Sequence, residues 1–473
     1  MLTTAPLNRS MATATELGNA QDNPTMSPQR TLWLGLSFAA LLASILIYQL
    51  VAVTNRLNTG LIPSTLAPIV ATTPASPEIN APTIAGRTIS KTVGPLLARA
   101  LAALKQQPPN FATAKQWLME AESLPNKTAF DRYKIDEVWR YLLYRQKNYG
   151  ELLKKFLLLK NDPDMLRYVS TYDKEMLSKL ALAKLAAAAN QRYDALQFAK
   201  EAVGENPGDA NAVIVLANQQ YYLREFQACL GNANVAIAQK IDANARPTEE
   251  SLLLLQSCAS RMNNPQQIMR ALRLLCQYYP TPKNWTSYIK QLRRNSSREA
   301  DFYALYLLIE AGSPQSYDYS EFGWSALIEF ASPSTGARLL QQAINTSAMS
   351  NQELARIQTL HSRLHDQAVL NAQQLPQLEW DVAANPSSSN VFKLGMAYFD
   401  LGYFDRAIAP LFKLVNDLRN APERGRALIP LALALHKSGD NEGARFVLLL
   451  AKSDPTLAGI ADAWLIRIGY GTV

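Results

Sequence analysis

Two stretches near the C-terminal end carry the same kinds of side chain at matching places. This in-phase repetition constrains the fold more than any other feature. In NVFKLGMAYFDLGYFDRAIAPLFKLV, from Asn390, the marked positions are Leu394, Gly395, Tyr398, Gly402, Phe404, Ala407 and Leu411. In ALIPLALALHKSGDNEGARFVLLLAKSDP, from Ala427, Leu431, Ala432, Leu435, Gly439, Ala444 and Leu448 fall in the same order, with Ala451 and Pro455 beyond. A recurring large-small pair lets two helices approach closely while bulky neighbours fill the groove between them. Gly402 and Gly439 suit the turn between paired helices, where a positive φ is needed. A chain built this way buries its apolar faces by stacking successive helix pairs.

Further units fall in phase. Leu182, Ala183, Ala195, Ala202 and Pro207 form one, and Leu216, Ala217, Phe226, Cys229 and Ala236 the next. Leu182 and Leu216 are 34 positions apart. Leu255, Leu272 and Pro280 mark another unit, and Leu96 to Ala121, with Phe111 and Ala114, a degenerate one. The pattern resembles the tetratricopeptide repeat. That resemblance implies an all-α, TPR-like α-solenoid, a right-handed superhelix of helix hairpins with a concave protein-binding face. The expected parts are an N-terminal solenoid over 93–297, an irregular helical segment over 298–385 and C-terminal repeats over 386–473. Asn351 to Ala384 reads as one long helix or two.

Ahead of the repeats, Leu32–Val53 (LWLGLSFAALLASILIYQLVAV) carries no charge. As a helix it rises roughly 33 Å, enough to span a bilayer. Trp33 and Tyr48 lie near its ends and Arg30 and Arg56 flank it. The reading is an uncleaved transmembrane helix. The alternatives are a cleaved signal peptide starting at Met26, and a buried core helix. Residues 1–31 form a polar tail, expected in the cytoplasm. Residues 54–92, with Pro63, Pro68, Pro74, Pro77 and Pro82 among Thr, Ser and Ala, form an extended linker. The body is then placed in the periplasm, on a single-pass inner-membrane anchor.

Hydrophobic residues make up 48% and charged residues 18% of the chain, which supports a large core and argues against disorder. The net charge of +8 is spread among acids, and no dense basic block stands out as a nucleic-acid surface. Cys229, Cys258 and Cys276 are too few and too far apart for a disulfide scaffold. Cys229 reads as a small packing residue. Cys258 and Cys276 lie on the two helices of one hairpin and either pair or pack against apolar neighbours. His361 and His365 share a helix face, with Asp366 beside them, but HSRLH lacks the Glu of a zinc protease. No phosphate-binding loop, dinucleotide fingerprint or nucleophile elbow occurs. No catalytic residue, cofactor, metal or small-molecule substrate is therefore expected.

Partner binding is expected on the first helices of the repeats, through Asn218, Lys393 and Lys437. KNWTSYIKQLRRNSSR adds Lys290, Arg293 and Arg294, either a contact patch for nucleic acid, lipid or an acidic partner segment, or a solvated helix face with Trp285 and Tyr288 in the core. KTAFDRYKIDEVWRYLLYRQKNYGELLKKF and SLLLLQSCASRMNN followed by RLLCQYYPTPKNW resemble a group of proteobacterial envelope proteins with tetratricopeptide repeats. This implies a scaffold or adaptor for envelope secretion, assembly or a TonB/ExbB-type system. The rival expectations are an enzyme with a cryptic cell-wall-processing site, and a permanent structural subunit of an envelope machine.

Overall fold

The computed structural model describes residues 88–346, 349–417 and 423–469. The expected tail, the apolar segment Leu32–Val53 and nearly all of the linker lie outside the described residues. Among those described there is no strand, and no helix is long and apolar enough to cross a membrane.

The chain runs as successive helix pairs. The first are α1 (Gly94–Lys105) with α2 (Phe111–Ser123) and α3 (Ala129–Arg145) with α4 (Tyr149–Lys160). Two short helices follow, α5 (Pro163–Leu166) and α6 (Thr171–Met176). Next come α7 (Lys179–Ala188) with α8 (Arg192–Glu205), α9 (Ala210–Tyr222) with α10 (Phe226–Asp242), and α11 (Glu249–Arg261) with α12 (Pro265–Tyr278). The middle holds α13 (Pro282–Arg293), α14 (Arg298–Ala311), α15 (Ser316–Ile328), α16 (Pro333–Thr346) and α17 (Asn351–Ala384). The last pairs are α18 (Ser388–Asp400) with α19 (Phe404–Asn416) and α20 (Arg424–Lys437) with α21 (Asn441–Ala451), closed by α22 (Ala458–Gly469). Asn351 to Ala384 is a single helix of 34 residues, with Pro376 inside it and Ser350 and Glu353 forming a capping box at its start.

Six of these pairs share one turn. Lys147, Asn190, Arg224, Asn263, Gly402 and Gly439 each sit two residues past one helix and two before the next, with φ between 49° and 92°. In each, the following N–H reaches back five residues, as in Asn148 to Leu143, Glu225 to Gln220 and Tyr403 to Tyr398. This bond satisfies carbonyls that a helix end otherwise leaves orphaned. Counting from the turn also aligns the packing. Leu182, Leu216, Leu255, Leu394 and Leu431 each stand eight residues before it and are buried. The tetratricopeptide-like large-small pattern is thus a physical repeat.

Two hairpins depart from the pattern, where Gln256 on α11 and Arg140 on α3 hold the place of Ala183, Ala217, Gly395 and Ala432. Arg140 is buried and ion-paired with Asp136, and with Asp173 of α6 at 3.1 Å. The Tyr133 hydroxyl donates to Asp173 at 2.6 Å. A buried charge is tolerated only with partners of this kind. The network spans α3 and α6 in place of a small-residue approach.

Cys229 of α10 and Cys258 of α11 form a disulfide, with Cα atoms 6.2 Å apart, and Cys276 is a buried free thiol. Of the two alternatives for Cys258 and Cys276, they do not pair with each other, and Cys276 packs as a buried thiol; the reading of Cys229 as packing alone is corrected. Cys258 faces back toward the preceding hairpin, not its own partner helix. Burial pushes the Cys276 thiol up from its ordinary range.

The stack closes on itself toward its end. On α22, Asp462 accepts from Arg273 of α12 at 2.6 Å and from Lys452 at 2.6 Å. Trp464 is fully buried against Tyr306 of α14, with ring centroids 5.8 Å apart. Helix α14 is buried along nearly its whole length, from Phe302 to Ile309. Two ion pairs tie it to α20: Glu299 to Arg426 at 4.0 Å and Glu310 to Lys437 at 2.9 Å. The pairs lie eleven residues apart on each helix, so α14 and α20 run parallel in register. Helix α14 is thus held against the C-terminal repeats by two ion pairs to α20 and by the Tyr306–Trp464 contact.

A cleft at the parallel ends of α14 and α20

Where α14 and α20 begin, a cavity of about 290 Å³ remains open. Its walls come from α14, the bend after α15, α17, α18 and α20. Its floor is apolar, with Tyr303 and Met396 almost wholly buried and Phe330, Leu378 and Phe392 around them. Phe330 is held in place by stacking on Phe302, with centroids 4.3 Å apart. The α17 wall is pinned beside Leu378, where Glu379 accepts from the Tyr398 hydroxyl at 2.6 Å and from Arg406 at 2.7 Å.

The charged groups around this floor differ in what they have left to offer. Asp400 lines the cleft, but its two oxygens accept from the Ser334 and Thr335 amides at 3.0 and 2.8 Å. It thereby satisfies two of the orphan N–H groups at the start of α16. Burial still raises its pKa, outweighing those hydrogen bonds. Burial also raises the Glu299 carboxyl, against the opposing pull of Arg426. Arg426 is half exposed and lies over the Phe392 ring at 4.9 Å. Its contact with Glu299 is long, and its guanidinium face is held by a cation–π contact. Lys393, the residue after Phe392, is exposed and has no ion pair or hydrogen bond among the described residues. Glu329, on the bend after α15, is exposed. Tyr303 is held far above its ordinary pKa by burial first and by Glu299 second.

The residues expected to bind partners are scattered. Lys393 lines the cleft, while Lys437 is the strut to Glu310. Arg293 is the hub of a cluster with Asp301 and Glu321 at 2.7 Å each and Asp318 at 3.7 Å. Lys290 stands over the Tyr317 ring at 5.6 Å, and Arg294 is exposed. Asn218 is buried in α9, its Oδ1 without a hydrogen-bond partner in the described structure. Glu299, Arg426 and Phe330 were not singled out in the sequence, because nothing local marks residues that meet only through closure. His361 and His365 stack with centroids 6.3 Å apart, and burial, then His365, lowers the His361 pKa. Among the described residues no cluster of three or more His, Cys, Asp or Glu is arranged to hold a metal ion.

No protein-family model matches the chain. No curated protein matches it in sequence. Among solved structures, it is similar to a chain of Naa15/Naa10 bound to HypK-THB, at 14% identity and a TM-score of 0.28 over 80% of this chain and 63% of that one. It is similar to a chain of the APC/C hetero-tetramer Cut9-Hcn1, at 14% identity and a TM-score of 0.21 over 80% and 64%. A third similarity is to the human IFIT1 dimer with m7Gppp-AAAA, at 13% identity and a TM-score of 0.24 over 75% and 89%. The chain thus spans less than two thirds of the length of the first two, and likenesses this distant bear on neither partner nor activity.

Proposed function

We propose that this chain is a membrane-tethered scaffold that binds other proteins in the cell envelope, as an accessory of a secretion, assembly or TonB/ExbB-type system. The observation that carries the reading is the cleft. It presents an unpaired cation, Lys393, and a half-exposed Arg426 above an apolar floor, on walls drawn from four helices and the bend after α15. Rigid helices that converge on a small apolar pocket with a polar mouth suit side-chain capture. The apolar Leu32–Val53 segment supports the tether. The Cys229–Cys258 disulfide supports a periplasmic body, since such bonds persist in oxidising compartments. No catalytic step, cofactor or nucleic acid enters this reading.

Affinity capture on the full chain at native expression level tests it. A partner recovered from the envelope fraction is expected, and repeated recovery of none overturns the scaffold. A reporter fused after Val473 tests the compartment, and activity of a cytoplasm-only reporter there overturns the periplasmic placement. A second reading, an enzyme, is favoured by one observation: Glu299, with its carboxyl raised by burial, lines the same cleft as Glu329. Peptidoglycan turnover by the purified chain that is lost in Glu299→Gln would establish it.

A further inference from the structure

This inference rests on the scaffold reading and adds the chemistry of what the cleft takes. A volume of about 290 Å³ lies at the lower end of ligand clefts, which run from about 300 to 1,000 Å³, and holds one or two side chains, not a helix. The deep surface is apolar, so the group that enters furthest is apolar and bulky. The charges sort by element. Two cations flank Phe392: Lys393 next to it on α18, and Arg426 over its ring from α20. Of the lining carboxylates, Asp400 is spent on two amides and Glu299 faces Arg426. Glu329 stands apart on the bend after α15, beside Phe330. The mouth is therefore polarised, basic along α18 and α20 and acidic at the bend. A polyanion such as a nucleic-acid backbone meets repulsion at Glu329, whereas a peptide segment of mixed character does not.

We propose that the cleft takes an internal segment of a partner protein, seating a bulky apolar side chain on the Tyr303–Met396 floor and an adjoining acidic side chain against Lys393 and Arg426. The acid forms charge-assisted contacts with two cations that have weak commitments elsewhere. The neighbouring backbone N–H has Glu329 as an acceptor.

The test is calorimetric titration of the full chain, in mild detergent, with the capped tetrapeptide acetyl-Gly-Asp-Phe-Gly-amide, which has no terminal charges. Saturable binding is expected. It should weaken at least tenfold when Asn replaces the peptide's Asp, when Ala replaces its Phe, and in the Lys393→Glu protein. Lys393 is exposed and unpaired, so that variant keeps its fold, which circular dichroism checks. Lys393→Glu should in turn prefer the peptide with Lys in place of Asp. Absence of saturable binding, or indifference to the Asn peptide or to Lys393→Glu, overturns the proposal. If a captured partner is still recovered with Lys393→Glu at wild-type yield, this chemistry falls and the scaffold stands. If no partner is recovered even by the wild-type chain, the scaffold reading itself falls.

Discussion

The ammonium of Lys437 lies 2.9 Å from a carboxylate oxygen of Glu310, across 127 residues of chain. With Glu299–Arg426 at the other end, it sets two parallel helices in register. The pair is partly exposed, so reversing Lys437 to Glu should cost about 1 kcal/mol of stability, most of it recovered when Glu310→Lys is added. Urea unfolding of the four variants in a double-mutant cycle measures this.

Trp464 fastens α22 to Tyr306. Truncation to Ala opens a large cavity and should cost about 3 to 5 kcal/mol. Hydrogen exchange gives the sharper check. Protection should fall in Arg298–Ala311 as well as in Ala458–Gly469, while Gly94–Lys160 keeps its protection.

Gly395 is required by approach, not by backbone angle. A Cβ there would stand 2.8 Å from Cγ and Cδ2 of Leu411, which is fully buried. Gly395→Ala gains about 1 kcal/mol of helix propensity. Overpacking costs about 1 to 3 kcal/mol and wins, because Leu411 has nowhere to go. A net drop in melting temperature is expected, and a Leu411→Ala second change should relieve part of the clash.

Asp462 sets a pH dependence. Burial works to raise its pKa, but the hydrogen bonds from Arg273 and Lys452 outweigh it and leave it below the ordinary 3.8. A carboxylate whose folded pKa is depressed contributes stability above its unfolded pKa, and loses it as pH falls through the folded value. The stability difference between wild type and Asp462→Asn should therefore be flat from pH 5 to 7. It should be about 1 to 2 kcal/mol there, given half-exposed partners, and should shrink as pH falls below 3.8. Urea titrations across pH 2.5 to 7 read it directly.

The Cys229–Cys258 disulfide closes a sequence separation of 29 residues. Its reduction should destabilise the body by about 2 to 4 kcal/mol. Dithiothreitol should lower the melting temperature of the wild type and of Cys276→Ala, and leave Cys229→Ala unchanged.

The repeats were legible where glycine marks the turn, at Gly402 and Gly439. The same turn at Lys147 and Arg224 was not, since those side chains say nothing of a positive φ. The hairpin of α3 and α4 was further hidden by Arg140, a charge at the small position whose partner Asp173 lies 33 residues on. Helix α14 looked irregular because it is buried on all sides, so no apolar stripe alternates with a wet face. In the cleft, Lys393 was legible as an exposed cation on a repeat's first helix. Arg426, Glu299 and Phe330 were not, because only closure of the stack brings them together. Arg293 was read as part of a basic patch, but the acids that claim it come from the next two helices.

That closure changes how this half of the molecule comes apart. An open array of repeats frays from its free end, one unit at a time. Here the last helix is buckled to the middle through Asp462 and Trp464, so peeling it away breaks into α12 and α14 at once. Force applied at the C-terminal end is met by the whole loop of helices from Pro265 onward, which resists as a single mechanical link.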